Sequence, residues 1–238
     1  RVSHSIHEVS YRACFKGELP NFFINRLTKE KDIVYDPFMG RGTTLIEAAI
    51  NLRNCLGNDI NPLSNALVAP RLDPPSIQDI QKRINSIKFN YKVKNKNKDL
   101  LVFYHHKTLR EIENYKNYFT KKINKRTFDS IDNWIRMIVL NRLTGHSKGF
   151  FSVYTLPPNQ AVSIESQKKI NKKRKQKPEY RDTKFLILEK SKSLLKSGTV
   201  KKPKIVKLYN CNSWETKKIK NNSINLTVTS PPFLNIVD

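Results

Sequence analysis

Asp32-Ile33-Val34-Tyr35-Asp36-Pro37-Phe38-Met39-Gly40-Arg41-Gly42-Thr43-Thr44 is the stretch that decides the fold. Its short apolar run predicts a buried strand, Asp-Pro with two glycines predicts a turn, and apolar residues at helical spacing predict a helix over residues 43–52. Residues 54–59 then resemble a second strand that ends in an acid, about 20 residues after the turn, as a nucleotide-binding α/β unit requires.

The glycine turn has the features of a ligand site. Gly40 and Gly42 let the backbone approach a ligand closely, and the helix N-terminus presents N–H groups, with Thr43 or Thr44 able to cap. Asp36 can pair with an ammonium, which a methionine moiety has and a nicotinamide cofactor lacks, and Asp59 is placed to accept both hydroxyls of a ribose. No Gly-Lys-Ser/Thr occurs, so the turn is not a Walker A loop; the alternative is an ordinary strand-turn-helix corner.

A second motif, Thr229-Ser230-Pro231-Pro232-Phe233, follows an apolar strand pattern over residues 224–228. The lone pair of an amino nitrogen on a base ring is delocalised into the ring, so an enzyme that methylates it must localise that pair. The Ser230 side chain and the Pro231 carbonyl can accept the amino hydrogens, consecutive prolines hold the carbonyl rigidly, and Phe233 can stack on a base taken out of the duplex.

The alternative is that Pro-Pro merely ends a strand. Residues 73–76 and 156–159 also contain Pro-Pro, but the first has neither a preceding strand nor a following aromatic residue, and the second lacks the polar first residue and the aromatic last one. Only residues 230–233 combine a strand, a polar acceptor, Pro-Pro and an aromatic ring, which favours the functional interpretation.

The composition points to a polyanionic partner. The chain has 45 Lys+Arg against 20 Asp+Glu, a formal net charge of +25, and counterion release makes binding by such a chain strongly salt-dependent. Residues 167–177 hold seven Lys or Arg and are either a solvated loop or a nucleic-acid contact; an AT-rich genome is another source of lysine. Three scattered cysteines and isolated histidine pairs indicate neither a disulfide framework nor a metal site, and no stretch is apolar enough to span a membrane.

We expect three regions along the chain. Residues 1–72 form the first part of the ligand-binding domain, residues 73–203 form a Lys-rich and mainly helical insertion, and residues 204–238 return to the sheet. The insertion includes a helix on which we expect Trp134 to be a core residue. A short helix over residues 19–28 is expected to pack on the sheet through Leu19, Phe22, Phe23 and Leu27. Because the chain starts at Arg1 and stops just after the second motif, we expect it to be a fragment.

Through these two motifs, the chain resembles the S-adenosylmethionine-dependent DNA amino-methyltransferases that modify cytosine N4 or adenine N6. The resemblance implies a Rossmann-like α/β sheet with helices on both faces, S-adenosylmethionine as cofactor, double-stranded DNA as partner, a cognate restriction endonuclease and a cytoplasmic location. Ser230 in the first catalytic position is more typical of N4-cytosine enzymes, and Asn212 stands where the family often has an acid that contacts the cofactor's adenine. The implied catalytic residues are Ser230, Pro231, Pro232 and Phe233; the implied cofactor residues are Asp36, Pro37, Phe38, Gly40, Gly42, Thr43, Thr44, Asp59, Ile60 and Asn212.

Two other functions fit parts of the pattern. A tRNA guanine-N2 methyltransferase has similar Gly and Pro-Pro motifs, although Ser230 in place of Asp counts against it. The second alternative is a non-catalytic remnant of a methylase that keeps only a DNA-binding surface. Methylation of a ring carbon is disfavoured, because no Pro-Cys dipeptide is present to supply the nucleophile.

Overall fold

The computed structural model describes residues 3–11, 14–90, 98–156, 162–215 and 217–231. The chain forms two compact units, one of Arg1–Pro74 with Lys196–Asp238 and the other of Pro75–Leu195. The region boundaries inferred from the sequence, after residues 72 and 203, stay a prediction. No helix in the described part of the chain is both long and apolar enough to cross a membrane.

In its described residues, the first unit contains a parallel sheet of four strands in the order β3-β2-β1-β4. The strands are β1 (Ile33–Asp36), β2 (Asn54–Asn58), β3 (Val206–Tyr209) and β4 (Leu226–Thr227), and the helices are α1 (Glu18–Leu27), α2 (Thr43–Ile50) and α3 (Pro62–Leu72). α2 contacts β1 and β2, α3 contacts β3, and the two helices contact each other, so both lie on one face of the sheet. The predicted α/β class is therefore confirmed, with a parallel sheet flanked by helices.

Close packing of α2 on the sheet explains one glycine of β2. A Cβ added at Gly57 would lie 2.4 Å from Leu45 Cδ1 and 2.6 Å from the Met39 sulfur. Leu45 and the neighbouring side chains of α2 are fully buried against the central strands, where each large side chain contributes about 1.5–3 kcal/mol. This packing fixes α2, and with it the turn that precedes α2.

The expected packing of α1 is wrong in detail. The helix forms, but Leu19, Phe22 and Leu27 are 52%, 51% and 60% exposed, and Phe23 is exposed as well. The buried side chains are Pro20 and Ile24, four residues apart, on the face that contacts α2. Helical spacing identifies a helix with an apolar face, but which face is covered depends on the neighbouring elements.

The second unit is helical, as predicted for the basic insertion. Its helices are α4 (Ile77–Ser86), α5 (His106–Asn124), α6 (Ser130–Arg142), α7 (Ile164–Lys173) and α8 (Thr183–Leu195). α4, α6 and α8 contact one another around fully buried side chains, among them Trp134, whose indole N–H donates to Ser191 Oγ at 3.0 Å. Trp134 is a core residue, as the sequence predicts.

A buried carboxylate in this unit is fully paired. Asp132 has no exposed surface, and its oxygens lie 2.5 Å from Arg83 Nη1 and 3.2 Å from Lys122 Nζ. The Tyr118 hydroxyl donates to it at 2.7 Å, and Asp132 forms a capping box with Asp129 at the start of α6. Two cations and several donors thus compensate one buried charge, as burial of a carboxylate demands.

Candidate active site

The predicted site residues that the structure describes lie at or just beyond the carboxyl ends of the four strands. Because all four strands are parallel, these ends meet at one edge of the sheet, which is where ligands bind in open α/β folds. Asp36 ends β1, Asp59 follows β2, Asn212 follows β3 and Ser230 follows β4. The two motifs, far apart in the sequence, belong to the neighbouring strands β1 and β4.

The turn between β1 and α2 depends on its glycines. Gly40 and Gly42 have φ of +48° and +79°, a region that favours glycine, and a Cβ at Gly42 would lie 2.5 Å from Val68 Cγ2. Gly42 itself is the N-cap of α2, and no side chain caps this end. The expectation that Thr43 or Thr44 caps the helix is therefore wrong: both are buried, and the Thr44 hydroxyl donates to the Val228 carbonyl at 3.1 Å.

Asp36 is a buried carboxylate that receives only neutral donors. It is 2% exposed, and its Oδ1 accepts hydrogen bonds from the Phe38 backbone N–H at 3.0 Å and the Thr229 hydroxyl at 2.6 Å. Among the residues that the structure describes, no cation forms an ion pair with it. Burial raises the pKa of Asp36 from 3.8 to about 6, although the hydrogen bonds from Thr229 and Phe38 lower it. The carboxylate at the end of β1 is therefore able to take up a cation.

Asp59 fastens the glycine turn to the end of β2. Its Oδ2 accepts from the Gly40 backbone N–H and its Oδ1 from the Asn61 backbone N–H, both at 2.8 Å. A carboxylate has about four acceptor sites, so each oxygen keeps one for a further donor. The ribose contact expected of Asp59 stays a prediction. Ile60, the next residue, is 70% exposed beside it.

Two asparagines tie the strand ends together. The buried Asn58 amide donates to the Cys211 carbonyl at 3.0 Å and to the Pro37 carbonyl at 3.4 Å. The Asn210 amide donates to the Asp59 and Ile60 carbonyls at 2.7 and 2.9 Å. The loops after β1, β2 and β3 therefore form one connected edge.

Asn212, predicted to contact an adenine, is half-buried in the loop after β3. Its amide donates to Glu215 Oε1 at 2.8 Å, within that same loop. Contact between Asn212 and a ligand stays a prediction.

The second motif joins the site through Thr229. The Thr229 hydroxyl bonds to Asp36, while Ser230 and Pro231 are exposed at the end of the described segment. Pro232 and Phe233, the other two predicted catalytic residues, lie outside the described residues. Thr229 belongs to the motif, but the sequence gives no hint of its partner, which lies 193 positions away.

Residues of both motifs line one open cleft with an empty volume of about 290 Å³. The N-terminal segment forms another part of its wall: a Cβ at Gly40 would lie 3.1 Å from the Tyr11 ring. Burial raises the pKa of the Tyr11 hydroxyl, which also interacts with Ser64, Asp59 and Asn61. The lining residues are Tyr11, Cys14, Phe15, Asp36, Phe38, Met39, Gly40, Arg41, Thr43 and Ser230.

Arg71 supports the turn from behind and was not found by sequence reasoning. It has no exposed surface, and its guanidinium donates to the carbonyls of Leu67 at 2.8 Å, Ile6 at 3.3 Å and Arg41. Burial lowers its pKa to about 9. An arginine near the end of a helix is common, so nothing in the sequence marks this one. Its carbonyl partners come from three separate segments, and only the fold brings them together.

The described residues at this edge of the sheet do not include a group of metal ligands. In the described ranges, no cluster of three or more His, Cys, Asp or Glu side chains is arranged to hold a metal ion. His7 is a buried partner of Glu47, with Nε2 2.8 Å from Oε1.

Comparison with known proteins gives three partial matches. Residues 1–65 match the model of a DNA methylase family. The chain is 35% identical over 79 residues to the type II methyltransferase M.MjaII of Methanocaldococcus jannaschii, covering 33% of this chain and 14% of that protein. It is 28% identical over 142 residues to the type II methyltransferase M.MvaI of Kocuria varians, covering 58% of this chain and 27% of that protein. The chain thus spans only a minor part of the length of either relative.

Proposed function

We propose, from the match of residues 1–65 to the model of a DNA methylase family, that the intact protein transfers a methyl group from S-adenosylmethionine to an exocyclic amino nitrogen of a DNA base. Cytosine N4 is the favoured target, because Ser230 holds the first position of the catalytic motif. A restriction endonuclease with the same recognition sequence is the partner that this proposal predicts.

The hydrogen bond from Thr229 to Asp36 is the observation that carries the proposal. It joins the residue just before Ser230 to the last residue of β1, and both Asp36 and Ser230 line the same cleft. A methyl donor bound at the glycine turn and a base held at Ser230 would therefore meet in one place. Direct displacement needs the two reactants held together in line, and positioning supplies much of the acceleration.

The residues at the turn fit S-adenosylmethionine. Asp36 is buried, lacks an ion-pair partner among the described residues and lines the cleft, so it suits the ammonium of a methionine moiety. Gly40 and Gly42 provide the positive φ that the turn beside the cleft requires, and Asp59 keeps acceptor capacity for ribose hydroxyls. When bound, S-adenosylmethionine would supply an electrophilic methyl group and leave as S-adenosylhomocysteine, and the methylated nitrogen would release one proton to solvent.

Ser230 and Pro231 act on the nucleophile in this proposal. The Ser230 hydroxyl oxygen and the Pro231 carbonyl accept the amino hydrogens of the base, so the nitrogen lone pair is released from the ring. Both residues are exposed, as contact with a base taken out of the duplex requires. The predicted stacking of Phe233 on that base completes the proposed pocket.

Methyl transfer from labelled S-adenosylmethionine tests the proposal. We expect label in duplex DNA, and N4-methylcytosine after digestion and mass spectrometry. Ser230→Ala should reduce the rate by about 10²-fold or more, the effect of losing one well-placed polar group in a transition state, while cofactor affinity stays unchanged. Label in tRNA and none in DNA would replace the proposal by a guanine-N2 methyltransferase. Cofactor binding without transfer to either substrate would contradict a catalytic function.

A further inference from the structure

The most basic segment of the chain forms an exposed cationic surface. Residues 167–177 carry seven Lys or Arg, and all seven side chains are exposed along α7 and the turn that follows it. None of the seven makes an ion pair within the described ranges. This cationic strip consists of Lys168, Lys169, Lys172, Lys173, Arg174, Lys175 and Lys177.

α7 is held by amide groups rather than by an apolar face. Gln167 is the one buried residue of the helix, and its amide donates to the Tyr154 carbonyl at 3.0 Å. The Asn171 amide donates to the Val102 carbonyl at 2.8 Å, and the Gln176 amide donates to the Tyr154 carbonyl at 2.9 Å. Two hydrogen bonds from within α7 and one from the turn after it fix the rotation of the helix about its axis, so its lysines face outward in a defined arrangement.

The C-terminal end of the strip is equally well defined. The Arg174 guanidinium lies 3.8 Å from the centroid of the Tyr154 ring, a cation–π contact that keeps the charge in place. Lys175 has φ of +49°, where glycine is favoured, and the Gln176 backbone N–H closes the turn on the Asn171 carbonyl at 3.0 Å. The turn after α7 is thus part of the same surface.

Such a strip is unfavourable for the isolated protein. Lys168 with Lys172 and Lys169 with Lys173 are like charges four residues apart, and each pair destabilises a helix by about 0.2–0.5 kcal/mol. Some other cations of the same unit are matched by an acid, as Arg83 is by Asp129 and Lys192 by Glu189. A fixed and unmatched row of cations is suited to a ligand that supplies a row of anions.

We infer that the cationic strip of α7 binds the phosphate backbone of duplex DNA. The choice of duplex DNA rests on the proposed function, while the cationic surface itself does not. Lysine contacts to phosphates position a protein on the duplex without reading its sequence, so the strip should contribute affinity and register rather than site recognition.

The test compares two variants of the full chain that lose the same charge. In the strip variant Lys168, Lys169, Lys172 and Lys173 are changed to Gln, which has a similar helix propensity. In the control variant the four exposed lysines of α5 and its end, Lys107, Lys116, Lys121 and Lys125, are changed to Gln. Binding to a short duplex is measured by fluorescence anisotropy between about 50 and 200 mM salt.

We expect the strip variant to reduce the slope of log K against log salt by about 0.9 for each phosphate that it no longer neutralises. Affinity should fall to the same extent for duplexes of different sequence, and the control should keep its slope. An equal decrease in both variants, or none in either, would overturn the inference and leave the proposed function untouched. If the unaltered chain binds tRNA but not duplex DNA, both the inference and DNA as substrate fail. If the fourfold variant does not fold, the double variant Lys168→Gln/Lys172→Gln is measured instead, and it should show half the change in slope.

Discussion

Asp36 and Asp132 are both buried carboxylates, and their surroundings differ in kind. Asp132 in the second unit meets Arg83, Lys122 and the Tyr118 hydroxyl, so its charge is balanced inside the protein. Asp36 in the first unit meets a backbone N–H and a hydroxyl, and burial raises its pKa to about 6. The difference teaches that a buried charge balanced from within stabilises the fold, whereas one beside a cleft with no counter-ion among the described residues is available to a ligand.

Removal of the Asp36 charge gives the largest expected effect. Asp36→Asn keeps the acceptor for Phe38 and Thr229 but loses the charge, so the affinity for S-adenosylmethionine should fall by about 2–5 kcal/mol, roughly 30- to 5,000-fold. Isothermal titration calorimetry measures this change. If the affinity is unchanged, Asp36 does not pair with the ammonium of the ligand.

Removal of the Asp132 charge should instead weaken the fold. Asp132→Asn leaves Lys122 and one side of Arg83 without a partner, and we expect the free energy of unfolding in urea at pH 7 to fall by about 3 kcal/mol. This is the low end of the usual effect, because both cations are partly exposed and Arg83 keeps Asp129. The folded variant should bind S-adenosylmethionine normally, and a loss of affinity would break the comparison.

The pH dependence of binding follows from the raised pKa of Asp36. An ammonium ligand needs the ionised carboxylate, so affinity should be constant well above pH 6 and fall about tenfold for each pH unit below it, or about 1.4 kcal/mol per unit. The free protein should respond in the opposite sense. Because the folded-state pKa lies above the ordinary value of 3.8, this group favours folding below about pH 4, and the advantage is lost as the pH rises through 6. Calorimetry across this range, with Asp36→Asn as the variant that should lack both trends, checks the prediction.

The hydroxyl of Thr229 should have the smallest effect. Its hydrogen bond lowers the pKa of Asp36, so Thr229→Val should move the pH midpoint of binding upward and weaken binding at neutral pH by about 1 kcal/mol. Thr227→Val, on the exposed part of β4, is the matched control and should change neither quantity. A midpoint that shifts equally in both variants would mean that the Thr229 bond does not tune Asp36.

Local patterns determined how much of the fold was predictable. The run from Ile33 to Thr44 codes for strand, turn and helix within one short segment, and the structure has all three. The resemblance to DNA amino-methyltransferases is confirmed by the family match, which does not separate cytosine N4 from adenine N6. Both results depend on residues that are close together in the sequence.

The features that the sequence did not predict depend on contacts between residues that are far apart in the chain. The exposure of Phe22 and Leu27 on α1, the support of the turn by Arg71 and the bond from Thr229 to Asp36 all require knowledge of neighbouring elements. The prediction that Thr43 or Thr44 caps α2 is wrong for a related reason, because the Thr44 hydroxyl donates to a carbonyl on the segment after β4. Side-chain chemistry alone does not select among such partners.

The sheet order also has a consequence for synthesis on the ribosome. β1 and β2 form the middle of the sheet, but their outer neighbours β3 and β4 begin about 150 residues later in the chain. At about 5–20 residues per second, the inner pair waits for roughly 7–30 s with both edges unpaired. Open strand edges recruit other chains, so the nascent protein passes through a period of aggregation risk that lasts at least until β3 and β4 emerge.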